Sequence, residues 1–274
     1  MMSRRLTGLI VNGLLWGLAL VSLFPLLWMV SVSFMPAGSS SAVPSPLWPA
    51  HPTWANYRAI FGTLGMGHYL LNSLGIASAA CAMSLTFNVM AGYAFGKLRF
   101  RGRDALFKTL LGALVIPGQV AMLPLFLMLK SMGLINTYAG ALVPAMASVF
   151  GIFLVRQFTR TIPDELLEAA RIDGAHEFRI FLTIVLPLLR PVLVTLAIFS
   201  FLGSWNDFMW PLIVLTDDGL HTLPVALAGL SREHVQDNEM MMAGSVITVL
   251  PVLLLFLALQ RHYIAGLMTG GLKG

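Results

Sequence analysis

Residues of the right types to bind a ligand cluster at Trp205-Asn206-Asp207, with Trp210 close behind, in a chain of 274 residues that is 57% hydrophobic. The amide and carboxylate can hydrogen-bond hydroxyl groups, and an indole face can pack on the apolar face of a sugar ring. The alternative is an interhelical hydrogen bond beside an interfacial tryptophan belt. Both interpretations make this a site for contact rather than for catalysis.

A second cluster lies in the charged segment Thr161–Pro187. Thr161 is placed to cap the start of a helix, and Pro163 suits its first turn. Gly174 permits the left-handed turn that ends a helix. The resulting helix of about 11 residues is marginal alone in water. We therefore expect it to pack on another surface.

One face of this short helix has small and apolar residues at three- and four-residue spacing, which lets a second surface approach closely. That face comprises Leu166, Ala169, Ala170 and Asp173. Glu168 and Arg171 flank it and can pair with charges on a partner. The alternative is an amphipathic helix lying on the inner leaflet of a membrane.

The sequence offers few residues for a disulfide, a metal site, a nucleotide-binding loop or a catalytic centre. Cys81 is the single cysteine, so no disulfide within the chain is possible. The six histidines are scattered without metal-ligand spacing, and the sequence contains no P-loop. No nucleophile motif with a matching base occurs in the apolar runs. We expect no catalytic residue, no metal site and no cofactor bound by this chain.

The elements that must position these clusters follow from the distribution of charge. Only 11% of the residues are charged, about half of what a soluble domain carries. Runs with no formal charge, or with one acid, are near the length that a hydrocarbon core of about 30 Å requires, and they must be helical. The runs are Leu9–Phe34, Tyr69–Phe95, Thr109–Leu129, Tyr138–Val155, Pro191–Leu215 and Met240–Leu259. The prediction is an all-α integral membrane protein with six transmembrane helices in one domain, residues 1–274.

Orientation follows from the basic residues. With the N-terminus inside, 14 of the 17 lysines and arginines lie on the cytoplasmic side, as the positive-inside rule requires. Both termini and the segment Thr161–Pro187 are then cytoplasmic. The same rule explains the net charge of +5 without nucleic acid. A cleaved signal peptide is the alternative for the first run, but its apolar stretch exceeds the 7–15 residues typical of one.

Irregular packing is expected within the spans. Gly92 and Gly96 form a GxxxG pair, which allows close approach of another helix. Prolines allow kinks in membrane helices because neighbouring groups satisfy the freed backbone. They occur at Pro25, Pro117, Pro124, Pro144 and Pro251.

The cytoplasmic segment carries a recognisable pattern. Its residues Glu168-Ala169-Ala170, Gly174, Ile184 and Leu186-Pro187 resemble the EAA loop of ABC importer permeases. The resemblance extends over nearly the whole chain and is strongest to carbohydrate-uptake permeases of the maltose, trehalose and glycerol-phosphate type, in the second-permease branch. Its further landmarks are Asn56-Tyr57, Asn72-Ser73, Tyr93-Ala94-Phe95, Trp205-Asn206-Asp207, Pro211-Leu212, Leu223-Pro224-Val225 and Gly266–Gly274.

The resemblance implies a type I ABC importer permease in the inner membrane of a bacterial cell. Such a permease forms half of a sugar pathway with a second, homologous permease. An ATPase dimer, which holds ATP and magnesium, sits beneath, and an extracytoplasmic sugar-binding protein delivers the cargo. Coupling to the ATPase would use Glu168, Ala169, Ala170, Arg171, Asp173 and Gly174. The substrate pathway would use Trp205, Asn206, Asp207 and Trp210.

The competing function is an ion-gradient-driven secondary carrier. Carriers of that class bind coupling ions through polar groups in the membrane, and Asp207 is the single acid within the predicted spans. An intramembrane enzyme is the third possibility, and the missing nucleophile and metal motifs argue against it.

Overall fold

The computed structural model describes residues 2–233 and 237–271, with side chains described for 7–230 and 237–258. Within these residues the chain forms helices and turns and no β-strand. Residues 272–274, the end of the carboxy-terminal landmark, lie outside the described part. The helices are α1 Met2–Ser33, α2 Ala55–Gly62, α3 Met66–Lys97, α4 Arg103–Ala113, α5 Gly118–Ser131, α6 Tyr138–Leu142, α7 Val149–Arg160, α8 Asp164–Ile172, α9 Glu177–Ile180, α10 Leu186–Leu188, α11 Arg190–Trp205, α12 Met209–Val214, α13 Leu223–Glu233 and α14 Asn238–Gly271.

The contacts divide the chain into two compact units. The first comprises Met1–His68 and Ala226–Pro251, and the second comprises Tyr69–Val225 and Val252–Gly274. Both candidate sites lie in the second unit.

In the first unit, buried polar groups bond the segment between α1 and α2 to the neighbouring helices. Asn56 of α2 donates to two carbonyl groups at the end of α1. The buried carboxylate of Glu239, at the start of α14, accepts hydrogen bonds from the N–H groups of Gly38 and Ser40. In contrast, no residue of the most apolar stretch of α1 is buried within the chain. That helix therefore meets lipid or another subunit.

Three helices are long and apolar enough to cross a membrane unbroken: Thr7–Ser33 in α1, all of α3, and Asn238–Ala258 in α14. Three further candidate spans are bent pairs, so the described residues hold between three and six spans. The pairs are α4 with α5 at 106°, Tyr138–Ala145 with α7 at 42°, and Glu177–Leu188 with α11 at 80°. The helical class is confirmed, while cytoplasmic termini and a single domain stay predictions.

Proline lies at each of these breaks. Pro117 immediately precedes α5, Pro144 lies in a 3₁₀ turn before α7, and Pro191 is the second residue of α11. Proline cannot donate a backbone hydrogen bond and disfavours a helical residue before it, so the chain changes direction there. Pro25, Pro124 and Pro251 instead lie inside continuous helices.

Close helix packing occurs where the GxxxG pair predicts it. A Cβ atom at Gly92 would come 2.5 Å from the Val155 side chain of α7, and one at Gly96 would come 3.0 Å from Thr159. The Arg156 side chain also donates to the carbonyl of Phe95. The end of α3 is therefore packed directly against α7.

The predicted span Pro191–Leu215 is not one helix. Helix α11 ends at Trp205, and α12 begins only at Met209. The chain therefore breaks at the polar residues Asn206 and Asp207, which satisfy backbone groups that a continuous helix would pair.

Candidate functional site

The helix of the segment Thr161–Pro187, α8, is nine residues long. Its start corrects one prediction: Thr161 does not cap it. Helix α7 runs to Arg160, and the Thr161 hydroxyl donates to the carbonyl of Phe158 in that preceding helix. Pro163 occupies the cap position instead, and Asp164 begins the acidic first turn, where a carboxylate complements the helix dipole.

The far end of α8 is closed by backbone groups alone. Gly174 has φ of +80°. The N–H of Ala175 donates to the carbonyl of Ala170, and the N–H of Gly174 donates to that of Arg171. These two bonds form the Schellman motif, which needs no side chain to close the helix.

Helix α8 is anchored by one leucine and exposes its neighbour. Leu167 is 1% exposed and belongs to the core that α3, α7 and α11 form around it. Leu166 is 43% exposed, and Ala169 and Asp173 are exposed on the same side. Ala170, predicted to share that face, instead packs partly against the core. The exposed face is thus narrower than the sequence indicates.

Apolar residues that the sequence analysis did not select extend this face. Ile172 is 86% exposed, and Phe178 beyond the turn is also exposed. The sequence contained a pattern that could have identified them, since large apolar residues that flank a charged turn favour contact with a partner over exposure to water. In this structure, Leu166, Ala169, Ile172 and Phe178 give the loop a short apolar surface that a partner could cover.

Charged groups hold both ends of α8 in place. The Nζ atom of Lys97 lies 2.5 Å from Asp164 and donates to the carbonyl of Ile162. The Arg171 side chain pairs with Glu177 at 2.6 Å. The hydrogen bond from Lys97 lowers the pKa of Asp164, and the hydrogen bond from Arg171 lowers the pKa of Glu177. Both carboxylates are therefore charged at neutral pH.

The second candidate site lies at the break after α11. The Asp207 carboxylate accepts a hydrogen bond from the N–H of Trp210, so it caps the start of α12. The half-buried Asp207 also lines a cavity of about 290 Å³ between α3, α6, α7 and α11. Its other polar lining consists of hydroxyl groups, from Ser84, Ser148, Ser200 and Ser204.

The two tryptophans do not reach this cavity as binding surfaces. Trp205 is 1% exposed and stacks on Phe201, and Trp210 is 6% exposed and donates its indole N–H to the carbonyl of Gly140. In this structure neither indole face is open to a ligand, so the contact of an indole with a sugar ring stays a prediction that the burial does not support. Asn206 is exposed, and its side chain donates to the carbonyl of Leu202 in its own helix.

Aromatic surface in this cavity comes from two phenylalanines instead. Phe150 of α7 and Phe199 of α11 meet edge to face at 6.0 Å, and each remains about half exposed. Behind them, Ser84 and Ser200 share a hydrogen bond of 2.8 Å across two helices. Single serines and phenylalanines are common in membrane helices, so their sequence positions carried no signal of this grouping.

The residues of both candidate sites lie within a segment that matches a known protein family. The profile of the family described as binding-protein-dependent transport system inner membrane component matches residues 88–268. This chain belongs to that family. It is therefore a multi-pass permease subunit of the inner membrane in an ABC importer, and it is not itself an enzyme.

Named relatives cover nearly the full length of the permease. It is 38% identical over 260 residues to the arabinooligosaccharides transport system permease protein AraQ of Halalkalibacterium halodurans, covering 94% of this chain and 93% of that one. It is 31% identical to the lactose transport system permease protein LacG of Rhizobium radiobacter, covering 98% of each. A chain from the crystal structure of a bacterial ABC transporter involved in the import of the acidic polysaccharide alginate shares the fold, with a TM-score of 0.84, 24% identity, and coverage of 95% and 98%.

These matches confirm the predicted carbohydrate-uptake permease at the level of the family. They do not separate the second-permease branch from other branches, so that assignment stays a prediction. The structure brings Glu168 and Arg171 together on one cavity wall beside the end of α3, with Ala169 and Asp173 on the exposed face. The individual roles of these residues also stay predictions.

Proposed function

We propose that this permease forms half of an oligosaccharide pathway together with a second, homologous permease, and that a separate ATPase dimer drives it. The ATPase binds ATP and magnesium, and an extracytoplasmic binding protein delivers the cargo. Relatives named for transport of arabinooligosaccharides and of lactose support the sugar class. The exposed apolar side of α1 is available for the second permease or for lipid.

The exposed face of α8 is the observation that carries the proposed coupling. A helix of nine residues is too short to be stable alone, yet its outward side presents Leu166, Ala169 and Ile172 without cover from the chain. Leu167 and the ion pairs hold its inward side firmly. A helix that is fixed on one side and apolar on the other can bind in a groove on a partner. In helix-in-groove recognition, apolar side chains spaced along one face of the helix enter such a groove.

The test of this coupling is Gly174→Asp. Aspartate fits poorly at φ +80°, and it adds a negative charge at the carboxyl end of α8, where the helix dipole opposes it. We expect uptake to be abolished because the ATPase no longer copurifies with the permease, while membrane insertion is retained. Uptake into proteoliposomes and ATPase copurification measure the two effects.

Gly133→Asp is the matched control. Gly133 also has positive φ, +70°, but it follows α5, and a Cβ atom there would meet no atom of α8 within 4 Å. Its strain is similar and its position is different, so this variant should keep the ATPase. Normal ATPase association and uptake in Gly174→Asp would overturn the proposed coupling.

We further propose that the cargo passes the cavity at Asp207. Its hydroxyls and carboxylate match the hydrogen-bonding needs of a sugar, and Phe150 and Phe199 offer an aromatic surface for the apolar face of a ring. About 290 Å³ is at the lower end of the range for ligand pockets, which fits one sugar ring rather than a whole oligosaccharide. The remaining rings would then contact the second permease.

A further inference from the structure

Helix α3, which belongs to the second unit from Tyr69 onward, is a continuous helix. It runs unbroken for 32 residues, or about 48 Å, and contains no proline. The three bent pairs turn by between 42° and 106°. An unbroken ladder of backbone hydrogen bonds resists bending, whereas each break is a place where a span can flex. A displacement at one end of α3 will therefore reach its other end.

The inner end of α3 forms hydrogen bonds at the start of α8 and to a residue just beyond the end of α8. Tyr93 and Lys97 are four residues apart, so they share one face of the helix. The Tyr93 hydroxyl donates to Glu177 at 2.8 Å, just beyond the turn that ends α8. Lys97 holds Asp164 and the carbonyl of Ile162 at the start of α8. Helix α8 is thus bonded to α3 directly at its start, through Asp164, and indirectly at its end, through Glu177 and the ion pair that Glu177 makes with Arg171.

The outer end of α3 forms hydrogen bonds to a second segment, residues 219–223. The amide of Asn72 donates to the carbonyls of Gly219 and His221, each at 3.0 Å. The neighbouring Ser73 hydroxyl accepts the N–H of Leu223 at 2.7 Å. Asn72 and Ser73 are buried. These three bonds fix the segment 219–223 to a point about 30 Å along α3 from Tyr93.

We propose that α3 is the rigid connection through which movement of the coupling helix reaches segment 219–223 on the opposite side of the membrane. Tyr93 and Lys97 are positioning residues at the inner end, and Asn72 and Ser73 are positioning residues at the outer end. The close packing of Gly92 and Gly96 on α7 keeps the inner end in register. This inference rests on the proposed docking of α8 and adds the route by which docking acts.

The alternative role of these four side chains is local, in that each holds only the groups that it bonds and transmits nothing along α3. The two roles differ in additivity. If both ends of α3 belong to one connection, breaking either end abolishes transmission, and breaking the other end as well lowers transport no further. Independent sites about 30 Å apart instead have additive effects on transport. A cycle of variants at both ends therefore separates a connection from two local contacts.

The experiment uses two paired variants in the complete importer, reconstituted with its ATPase, second permease and binding protein. The inner pair is Tyr93→Phe with Lys97→Met, and the outer pair is Asn72→Leu with Ser73→Ala. Each pair removes the hydrogen-bonding atoms and leaves apolar side chains of similar shape. We expect each pair to lower the amount of sugar transported per ATP hydrolysed about tenfold, within the usual range of coupling between sites. All four substitutions together should lower it no further.

Thr86→Val is the matched control on the same helix. The Thr86 hydroxyl donates to the carbonyl of Ala82 within α3 and makes no bond to another element that the structure records. This variant should transport normally. Lys97→Arg keeps a cation at the inner end and should restore most of the coupling ratio when placed beside Tyr93→Phe.

Additive losses, of about a hundredfold for the four substitutions together, would overturn the connection, as would an unchanged ratio in either pair. ATPase copurification is measured on every variant. Retained copurification with additive losses overturns the α3 connection alone, whereas normal docking of Gly174→Asp overturns the proposed coupling itself. If a pair fails to assemble, the milder Tyr93→Phe and Ser73→Ala form the same cycle.

Discussion

The two candidate sites both lie where a helix ends, and the chain closes those ends with different groups. The end of α8 is closed by backbone bonds at Gly174, so its side chains stay available to a partner. The break after α11 is closed by the Asp207 carboxylate, which accepts the N–H of Trp210. Every helix end leaves backbone groups that need partners, and in a membrane water cannot supply them.

This difference determines what each site can do. A partner can bind to the α8 surface and leave it without breaking the hydrogen bonds that define the helix. Asp207 is already engaged, so any ligand that bonds its carboxylate shares that group with the start of α12. A cargo at Asp207 would therefore sense and influence the geometry of the break, while docking at α8 leaves the helix itself unchanged.

The largest expected effect comes from the anchored side of α8. Leu167→Ala removes a side chain that is 1% exposed, and such core truncations cost about 2–5 kcal/mol. Leu166→Ala, one residue away and 43% exposed, should change stability by less than about 0.5 kcal/mol. Thermal unfolding of the purified permease measures both. Equal destabilisation by the two substitutions would show that α8 has no distinct inward and outward sides.

The sequence could predict the helix of this loop because its signals are local. An acidic first turn and a glycine at the end lie within eleven residues of each other. It could not predict the loss of the Thr161 cap, because that depends on how far α7 continues and on where the hydroxyl then finds an acceptor. Leu167 and Leu166 are adjacent and chemically identical, so only packing distinguishes the anchor from the exposed residue.

The cavity could be predicted only in part. Asp207 was identified because a carboxylate inside an apolar run is costly and needs a partner or a cavity. The burial of the two tryptophans could not be predicted because it depends on distant residues, as the bond from Trp210 to Gly140, 70 positions away, illustrates. The pairing of Ser84 with Ser200 spans 116 positions and leaves no mark in either local sequence.

Asp207 offers a second test of the comparison, with a smaller effect. Asp207→Ala leaves the N–H of Trp210 without its acceptor and should cost about 1–3 kcal/mol of stability. Asp207→Asn keeps an oxygen acceptor at that position, so the break and the assembly should survive while transport is impaired by loss of the charge. Thermal unfolding and sugar-stimulated ATPase activity separate the two effects. Unchanged stimulation in Asp207→Asn would count against a pathway role.

The smallest effect is a dependence of the loop on acid. Pairing with Lys97 and with Arg171 lowers the pKa of Asp164 and Glu177 below their ordinary values of 3.8 and 4.5. A carboxylate whose pKa is lowered by folding contributes its stabilisation fully above its ordinary pKa and loses it as the pH falls through the lowered value. The stabilisation of α8 by these two ion pairs should therefore be constant from about pH 5 to 8 and should weaken below about pH 4.

Hydrogen exchange of the α8 amides at pH 7 and pH 4, corrected for the intrinsic exchange rate, measures this weakening. The variant Lys97→Met with Arg171→Gln has no pairs to lose, so its α8 should show low protection at both values. Both carboxylates are exposed on the protein surface, so solvent and salt screen the pairs and the effect should shrink at high ionic strength. Equal acid sensitivity of the variant and the native permease would place the titrating groups elsewhere, and the contrast between a loop held by charges and a break held by one carboxylate would then fail.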